Sequence, residues 1–406
     1  MPAVFTGWSM KLMENQNDIM TQHSAGTPDV VICGAGPVGL LTALRLARAG
    51  VSVTVFEKRE TINTASKAST FHPPTLDILD RLGLFKVLRS RGLLVREAQY
   101  RTPEAPFARF DFETIANFTD HPFRMHLEQS AVAEAAVEAL ASYPTARILF
   151  NAEVLSTTAH EGSASVHFLH GGKNHTVRAA FVLVANGANS ELRESMGIGF
   201  EGKAYPGEVL RIVTQTPMRS ILPDMASLTY LFDGDRSVSF LEMADCWRII
   251  VRPSDEALAV PERNREWVEH VLRNSLPGGM ALPSVDGWDL YRASRRTASD
   301  YGSGRVFLMG DVAHVTNTRG GMNMNCGIHD GCVIANAVIT ALRNGDIATV
   351  RAAASRRQTV ATTLLADRTD RSVGDLAQWA ERVRAIAADP AKARDFLIQT
   401  SMLDMI

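Results

Sequence analysis

Residues 29–58, DVVICGAGPVGLLTALRLARAGVSVTVFEK, constrain the fold more than any other part of this chain. Val30–Cys33 is an apolar run of the kind a parallel strand shows when both faces are buried. Gly34, Gly36 and Gly39 follow in G-x-G-x-x-G spacing, with Pro37 and Val38 between the last two. A helix-period stretch then runs to Ala49 and is closed by Gly50. A second apolar run, Val51–Phe56, leads into Glu57 and Lys58. Each glycine has a separate physical task. Gly34 permits a tight turn, Gly36 lets backbone approach a pyrophosphate, and Gly39 lets helix and strand pack closely. The helix N-terminus offers free N–H groups and a positive dipole end to phosphates. Glu57, eighteen residues beyond Gly39, lies where a carboxylate takes both hydroxyls of an adenosine ribose. Together these parts predict a βαβ unit that binds a dinucleotide. A glycine-rich turn without a ligand is the plainer alternative.

The rest of the chain is α/β with a change of character in the middle. A polar loop, residues 58–69, precedes an amphipathic helix from Pro74 to Leu82. Leu93–Phe112 reads as two or three strands, Gln129–Leu140 as a helix, and Arg147–Phe168 as strands turning at Gly162-Ser163. Phe181–Ala185 is another buried strand, ending at Asn186-Gly187. From Val209 to Leu290, alternating stretches separated by Asp-Gly, Ala-Asp and Pro signals predict antiparallel sheet, interrupted by a helix over Glu262–Leu276. A buried strand returns at Val306–Met309, and two or three helices run to the end.

Residues 304–331, GRVFLMGDVAHVTNTRGGMNMNCGIHDG, form a second signature: strand, Gly-Asp turn, glycine pair, helix N-terminus. Asp311 is suited to bond sugar or ribityl hydroxyls. Gly320 and Gly321 remove side chains where a flat ring system can lie on backbone, and the helix start after them can stabilise negative charge on that ring. Here the chain resembles the FAD-dependent aromatic hydroxylases of the para-hydroxybenzoate hydroxylase fold. Gly310, Asp311, Ala313, His314, Gly320, Gly321, Asn325, Gly327 and Asp330 stand in register with that family's G-D-A-A-H-x-x-x-P-x-G-G-x-G-x-N-x-G-x-x-D pattern. Thr318 replaces its proline, Asn323 its third glycine and Val312 its first alanine. The middle pattern D-G-x-x-S-x-x-R is met by Asn186, Gly187, Ser190 and Arg193, with an amide for the acid. The stretch Phe71–Leu84 is also similar to small-phenol members, including nitrophenol monooxygenases.

The resemblance implies a Rossmann-like FAD-binding domain (29–99, 120–199, 296–345), an inserted antiparallel-sheet substrate domain (100–119, 200–295), C-terminal helices (346–406) and a flexible extension (1–28). It implies FAD held by Gly34, Gly36, Pro37, Val38, Gly39, Glu57, Lys58, Lys67, Gln129, Asn186, Asp311, Gly320, Gly321, Met322, Asn323, Met324 and Asn325. It further implies NADPH or NADH as electron donor, O2, a flavin C4a-hydroperoxide, a small phenolic substrate and a homodimer. A second Rossmann fingerprint is absent, which suits a transiently bound nicotinamide. For the substrate pocket, Tyr230, His72, Tyr205 and His126 are acid–base candidates, Tyr230 and Phe232 being equally readable as sheet core. Arg211 and Arg248 are candidates for holding a carboxylate, or else face solvent. His314 reads as a structural turn residue. A flavin-dependent halogenase of related fold lacks its G-W-x-W-x-I-P segment here. A flavoprotein acting on isoprenoids, or a non-catalytic redox sensor, remains an alternative.

Composition narrows the partners. Lys plus Arg total 42 against 44 acids, a net charge of -2, which points to neither nucleic acid nor an acidic membrane surface. No apolar run approaches the ~20 residues of a membrane span, and residues 1–27 lack a signal-peptide pattern. Cys33, Cys246, Cys326 and Cys332 show no metal-ligand spacing, so no metal site and a cytoplasmic, reduced protein are expected.

Overall fold

The computed structural model describes residues 27–65, 68–234, 236–371 and 375–406. The flexible extension expected at 1–28 therefore falls almost wholly outside the described residues, as does Lys67.

Val30–Cys33 lies at the centre of a six-stranded sheet. It pairs in parallel with Val53–Phe56 on one side and Phe181–Val184 on the other. Ala146–Leu149 and Val306–Leu308 extend the sheet outward in parallel, and the short Gly302–Ser303 closes one edge antiparallel. The strand at Val306 thus returns to the first βαβ unit from more than a hundred residues downstream. Helices Pro37–Ala47, Gln129–Leu140 and Asn323–Asn344 pack together beside this sheet. The helices meet through glycine: a Cβ on Gly331 would lie 2.2 Å from Thr42 Oγ1, and one on Gly327 would lie 2.8 Å from Gly310 Cα. An antiparallel meander, Ala152–Ala159, Ala164–His170 and Lys173–Ala179, adjoins the sheet. Its last strand is missing from the expected elements. Apart from Ala179 it buries almost nothing, and it is set by the hairpin at Gly171-Gly172, both at positive φ.

The middle of the chain builds a seven-stranded sheet in the order Gly287–Tyr291, Val209–Thr214, Trp247–Val251, Arg236–Glu242, Leu228–Asp233, Glu97–Arg101, Pro106–Asp111. All its pairings are antiparallel except Leu228–Asp233 with Glu97–Arg101. That pairing is parallel because its two strands come from distant parts of the chain. Strand alternation sends Leu210, Ile212, Leu231, Phe240, Ile249 and Val251 to one face, where they pack with Trp267, Val268, Val271 and Leu272 of the helix Arg265–Ser275. That helix starts three residues later than Glu262, because the Asn264 side chain caps it by accepting from Trp267 N at 2.9 Å.

After Asn344, a rod runs from Ile347 through a π-helical turn, Ala361–Leu365, to Asp370; helices Leu376–Ala387 and Pro390–Thr400 follow. With Asn323–Asn344 this makes four helical segments among the described residues, more than the two or three expected. The last pair packs on the outer strands of the seven-stranded sheet, around Tyr100, Phe110 and Phe232. No helix among the described residues is long and apolar enough to cross a membrane.

Candidate active site

A single cavity of about 1140 Å³ extends from the first glycine turn to the underside of the seven-stranded sheet and the C-terminal helices. At its nucleotide end, Gly34 (φ +111°) turns the chain out of the first strand, and a Cβ there would lie 2.5 Å from Ala185 O. A Cβ on Gly39 would lie 2.1 Å from Gly34 O, so this glycine permits helix and turn to touch. Gly36 differs. A Cβ there meets nothing within 4 Å, so the absent side chain leaves space on the cavity side. Pro37 and Val38 open the helix at the same wall. Glu57 is buried; its Oε2 accepts from Ala35 N at 2.9 Å and its Oε1 from Arg59 N at 3.0 Å. The carboxylate therefore braces the glycine turn as well as facing the cavity, a task that the spacing alone did not assign to it. Lys58 sits at the mouth, 3.8 Å from Glu153, and Gln129 and Asn186 line the same region. Behind Asn186, the Ser190 hydroxyl caps a short helix by accepting from Arg193 N. The buried Arg193 guanidinium donates to Ala188 O at 2.8 Å and lies 4.1 Å from the centre of the Phe200 ring.

The second glycine turn forms the next wall. Gly320 (φ +78°) and Gly321 (φ +65°) hold left-handed backbone, and a Cβ on Gly321 would lie 3.1 Å from Thr70 Cβ. Met322, Asn323 and Met324 line the cavity beside them. Asn325 does not. It is fully buried behind the turn, donating to Thr70 O and Gly321 O, both at 2.8 Å, and accepting from His72 N at 3.0 Å. His72 is likewise drawn back from the cavity. Its Nε2 is 2.8 Å from Gly320 O, and burial pulls its pKa well below the ordinary histidine value, with the positive charge of Arg124 acting the same way. A neutral imidazole that donates to a turn carbonyl shapes the turn and does not reach a substrate.

Asn323 has gained a role from its departure. Its Nδ2 donates to Asp311 Oδ1 at 2.9 Å, while its Oδ1 lies 3.1 Å from His314 Nδ1. His314 Nε2 is 2.8 Å from Asp330 Oδ2, and Arg357 Nε donates to Asp330 Oδ1 at 2.7 Å. A chain of polar contacts thus links the cavity-facing Asp311 to a wholly buried ion cluster. Burial alone would raise the Asp330 carboxyl, but Arg357 and His314 outweigh it and hold the group at about 2. His314, Cys326 and Asp330 place potential ligand atoms within 4.8 Å of one another, a grouping their sequence spacing did not suggest; both Asp330 oxygens are already engaged.

The seven-stranded sheet supplies the roof. Register aligns Asp289, Arg211, Ile250, Ser239, Tyr230 and Tyr100 in one row across six strands. All six line the cavity. Arg211 Nε donates to Asp289 at 2.7 Å, and the Tyr100 and Tyr230 rings lie 4.9 Å apart. Tyr230 is thus on the cavity side and not in the sheet's far core. The remaining candidates stand elsewhere. His126 is buried with Nδ1 2.7 Å from Glu242 O, and burial lowers it to about 4. Arg248 is buried and paired with Glu128. The Tyr205 hydroxyl bonds Asp370, and burial raises its pKa. Tyr100, Arg124, Arg252, Arg319, Trp379 and Phe396 also line the cavity and were not singled out from sequence. The alternation of Glu97–Arg101 was the only available signal for Tyr100, and it did not reveal which sheet the strand joins.

This wall fits FAD. The empty space faces Gly36 at a helix N-terminus, the Glu57 carboxylate lines the same wall beside the glycine turn, and a second, side-chain-free turn suits a flat ring. Comparison with known proteins agrees. A family model described as an FAD binding domain matches residues 27–368. The chain is 30% identical over 321 residues to para-nitrophenol 4-monooxygenase of Pseudomonas sp. strain WBC-3, covering 78% of this chain and 79% of that protein. It is 28% identical over 388 residues to 6-hydroxy-3-succinoylpyridine 3-monooxygenase of Pseudomonas putida, covering 91% and 96%. The crystal structure of p-nitrophenol 4-monooxygenase from Pseudomonas putida superposes with a TM-score of 0.83 at 26% identity, over 93% of this chain and 98% of that one. With that coverage of fold and motif, this chain belongs to the FAD-dependent aromatic hydroxylases, the single-component flavoprotein monooxygenases.

Proposed function

We propose that the enzyme hydroxylates a small phenolic ring with NADPH or NADH as electron donor. One oxygen atom of O2 enters a ring C–H bond and the other leaves as water, the nicotinamide supplying two electrons. FAD, when bound, supplies the electron transfer and the activation of dioxygen. The chain's own residues do the rest. Gly34, Gly36, Glu57 and the helix start at Pro37 would hold the adenosine and pyrophosphate, and Asp311 and the Gly320–Gly321 turn the ribityl and ring end. The observation that carries this reading is the shared cavity: the Tyr230–Tyr100 row roofs the same space that the Gly320–Gly321 turn walls. Trp379 and Phe396 line the same space and give a ring beneath that roof apolar neighbours. The Tyr230 hydroxyl is the group we assign to accept or return the substrate's phenolic proton. The relatives' named substrates, para-nitrophenol and 6-hydroxy-3-succinoylpyridine, are small hydroxylated rings and support the size class.

The test is incubation with each nicotinamide, 18O2 and a panel of phenols, followed by mass spectrometry. A product carrying one 18O atom, formed only when ring, donor and oxygen are all present, is expected. Nicotinamide oxidation that no phenol stimulates, with no oxygenated product from the panel, would sink the proposal.

A further inference from the structure

Several arginines line the cavity, and they differ in what balances their charge; Arg124, without a carboxylate, donates its Nη2 to Thr400 O at 2.9 Å. Arg211 is tied to Asp289, Arg368 to Asp404 and Arg371 to Asp367. Among the described residues, neither Arg252 nor Arg319 has a carboxylate within 4.0 Å. Arg252 lies just past the strand Trp247–Val251, two residues beyond Ile250, and both line the cavity. Arg319 enters from the turn that carries Gly320 and Gly321, and its Nε is buried without a hydrogen-bond partner.

Burial pulls Arg319 down to about 9, and the positive charge of Arg252 pushes the same way; Tyr230 acts in the opposite sense. Burial lowers Arg252 as well. A guanidinium does not readily give up its proton. Two like charges partly drawn out of water on one cavity, with no counter-charge beside either among the described residues, raise the free energy of the empty pocket. An anion entering between them reverses that. Their surroundings are aromatic: Tyr230 and Tyr291 line the same cavity, and the Tyr291 hydroxyl donates to Thr318 Oγ1, beside Arg319, at 3.3 Å. The pyrophosphate of FAD is not that anion, because its place is the helix start at Gly36, the other end of the cavity.

We propose that Arg252 and Arg319 together receive an anionic oxygen group carried on the substrate ring, a carboxylate or an ionised phenol, and so select acidic rings over neutral rings of the same shape. The proposal rests on the aromatic-hydroxylase reading and narrows it. The planar guanidinium fork matches two oxygens or one strongly charged oxygen, and such charge-assisted bonds are strongest where water is excluded.

The FAD-loaded protein is titrated with benzoate against benzamide, and with 4-nitrophenolate against 4-nitroaniline, following the flavin absorbance change. The anion of at least one pair should bind roughly ten- to a hundredfold more tightly than its neutral partner. A preference in the first pair identifies a carboxylate, and one in the second an ionised phenol. Arg252→Gln and Arg319→Gln should each erase most of that ratio while FAD stays bound. If either variant does not fold, Arg252→Lys and Arg319→Lys keep the charge and remove the fork, and should lower the ratio partially. Equal affinities within both pairs, no binding by any of the four probes, or a ratio untouched in the variants overturns the proposal. The titration needs no turnover. Failure to find an oxygenated product with any ring therefore counts against the hydroxylase reading, and equal binding counts against the arginine pair alone.

Discussion

At the scale of single residues, glycines with the same motif spacing carry opposite constraints. Gly39 is required by contact, since any Cβ would strike Gly34 O, whereas Gly36 is required by emptiness. Gly36→Asp should therefore fold, because no atom lies within 4 Å of the new Cβ, but it puts a carboxylate where the pyrophosphate must lie. Purified variant protein should be colourless with a native circular-dichroism spectrum. Gly39→Ala should instead lose soluble yield. A yellow Gly36→Asp protein would mean the dinucleotide does not approach the backbone here. The motif residues were legible because turn geometry and anion binding both act within a few residues of chain. Tyr100, Arg252 and Arg319 were not. Their role depends on which strands become neighbours and on an empty cavity between them, and no local spacing carries that information. His72 and Asn325 were legible as important but not in kind: both brace the glycine turn from behind.

At the scale of elements, the sequence revealed segments whose burial follows a period. Gln129–Leu140 is a helix over the predicted span, because Val132, Ala136 and Leu140 recur on one buried face. The pairing of Leu228–Asp233 with Glu97–Arg101 was beyond reach, since parallel partners share no turn. Also hidden was the junction of the helix Asn323–Asn344 with the rod starting at Ile347, which buries the Asp330–Arg357 pair beside His314. Removing one partner of a buried pair strands the other charge, so Asp330→Asn should cost about 3–5 kcal/mol in urea unfolding. The pH dependence has a definite sign. The Asp330 carboxyl is depressed from an ordinary 3.8 to about 2, so its contribution is complete above about pH 4 and is lost as pH falls towards 2. His314 is held well above its ordinary 6.5, despite burial acting against it, by its neighbours Cys326 and Asp330. Its contribution is complete below pH 6.5 and is lost only as pH rises through the raised value. The native protein should therefore lose urea resistance between about pH 4 and 2 more steeply than Asp330→Asn. Parallel curves for the two proteins would remove the pair from the stability balance.

At the scale of the whole molecule, the cavity is the seam between separate apolar cores. The parallel sheet and its helices form one core, and the seven-stranded sheet forms others with the helix Arg265–Ser275 and with the C-terminal helices. The cavity is walled by residues of the parallel-sheet core and of the core formed with the C-terminal helices, so a ligand that spans it couples these two, whereas a ligand confined to the Gly36 end does not. Calorimetry on protein freed of FAD should then resolve two transitions. Adding ADP, which reaches only the first glycine turn and Glu57, should raise one of them. Adding FAD should raise both and merge them into a single cooperative unfolding. A ligand at a hundredfold its Kd adds about 2.7 kcal/mol to whatever it binds. Spread over an unfolding entropy of roughly 2.1 cal/mol/K per residue, that amounts to about 3 °C for the whole chain, and more for a unit that melts alone. The comparison must use equal multiples of each Kd, since at equal saturation a two-state protein would give ADP and FAD the same shift. Identical shifts in one common transition would mean that the cores already unfold together, and that the cavity is a space within one cooperative unit.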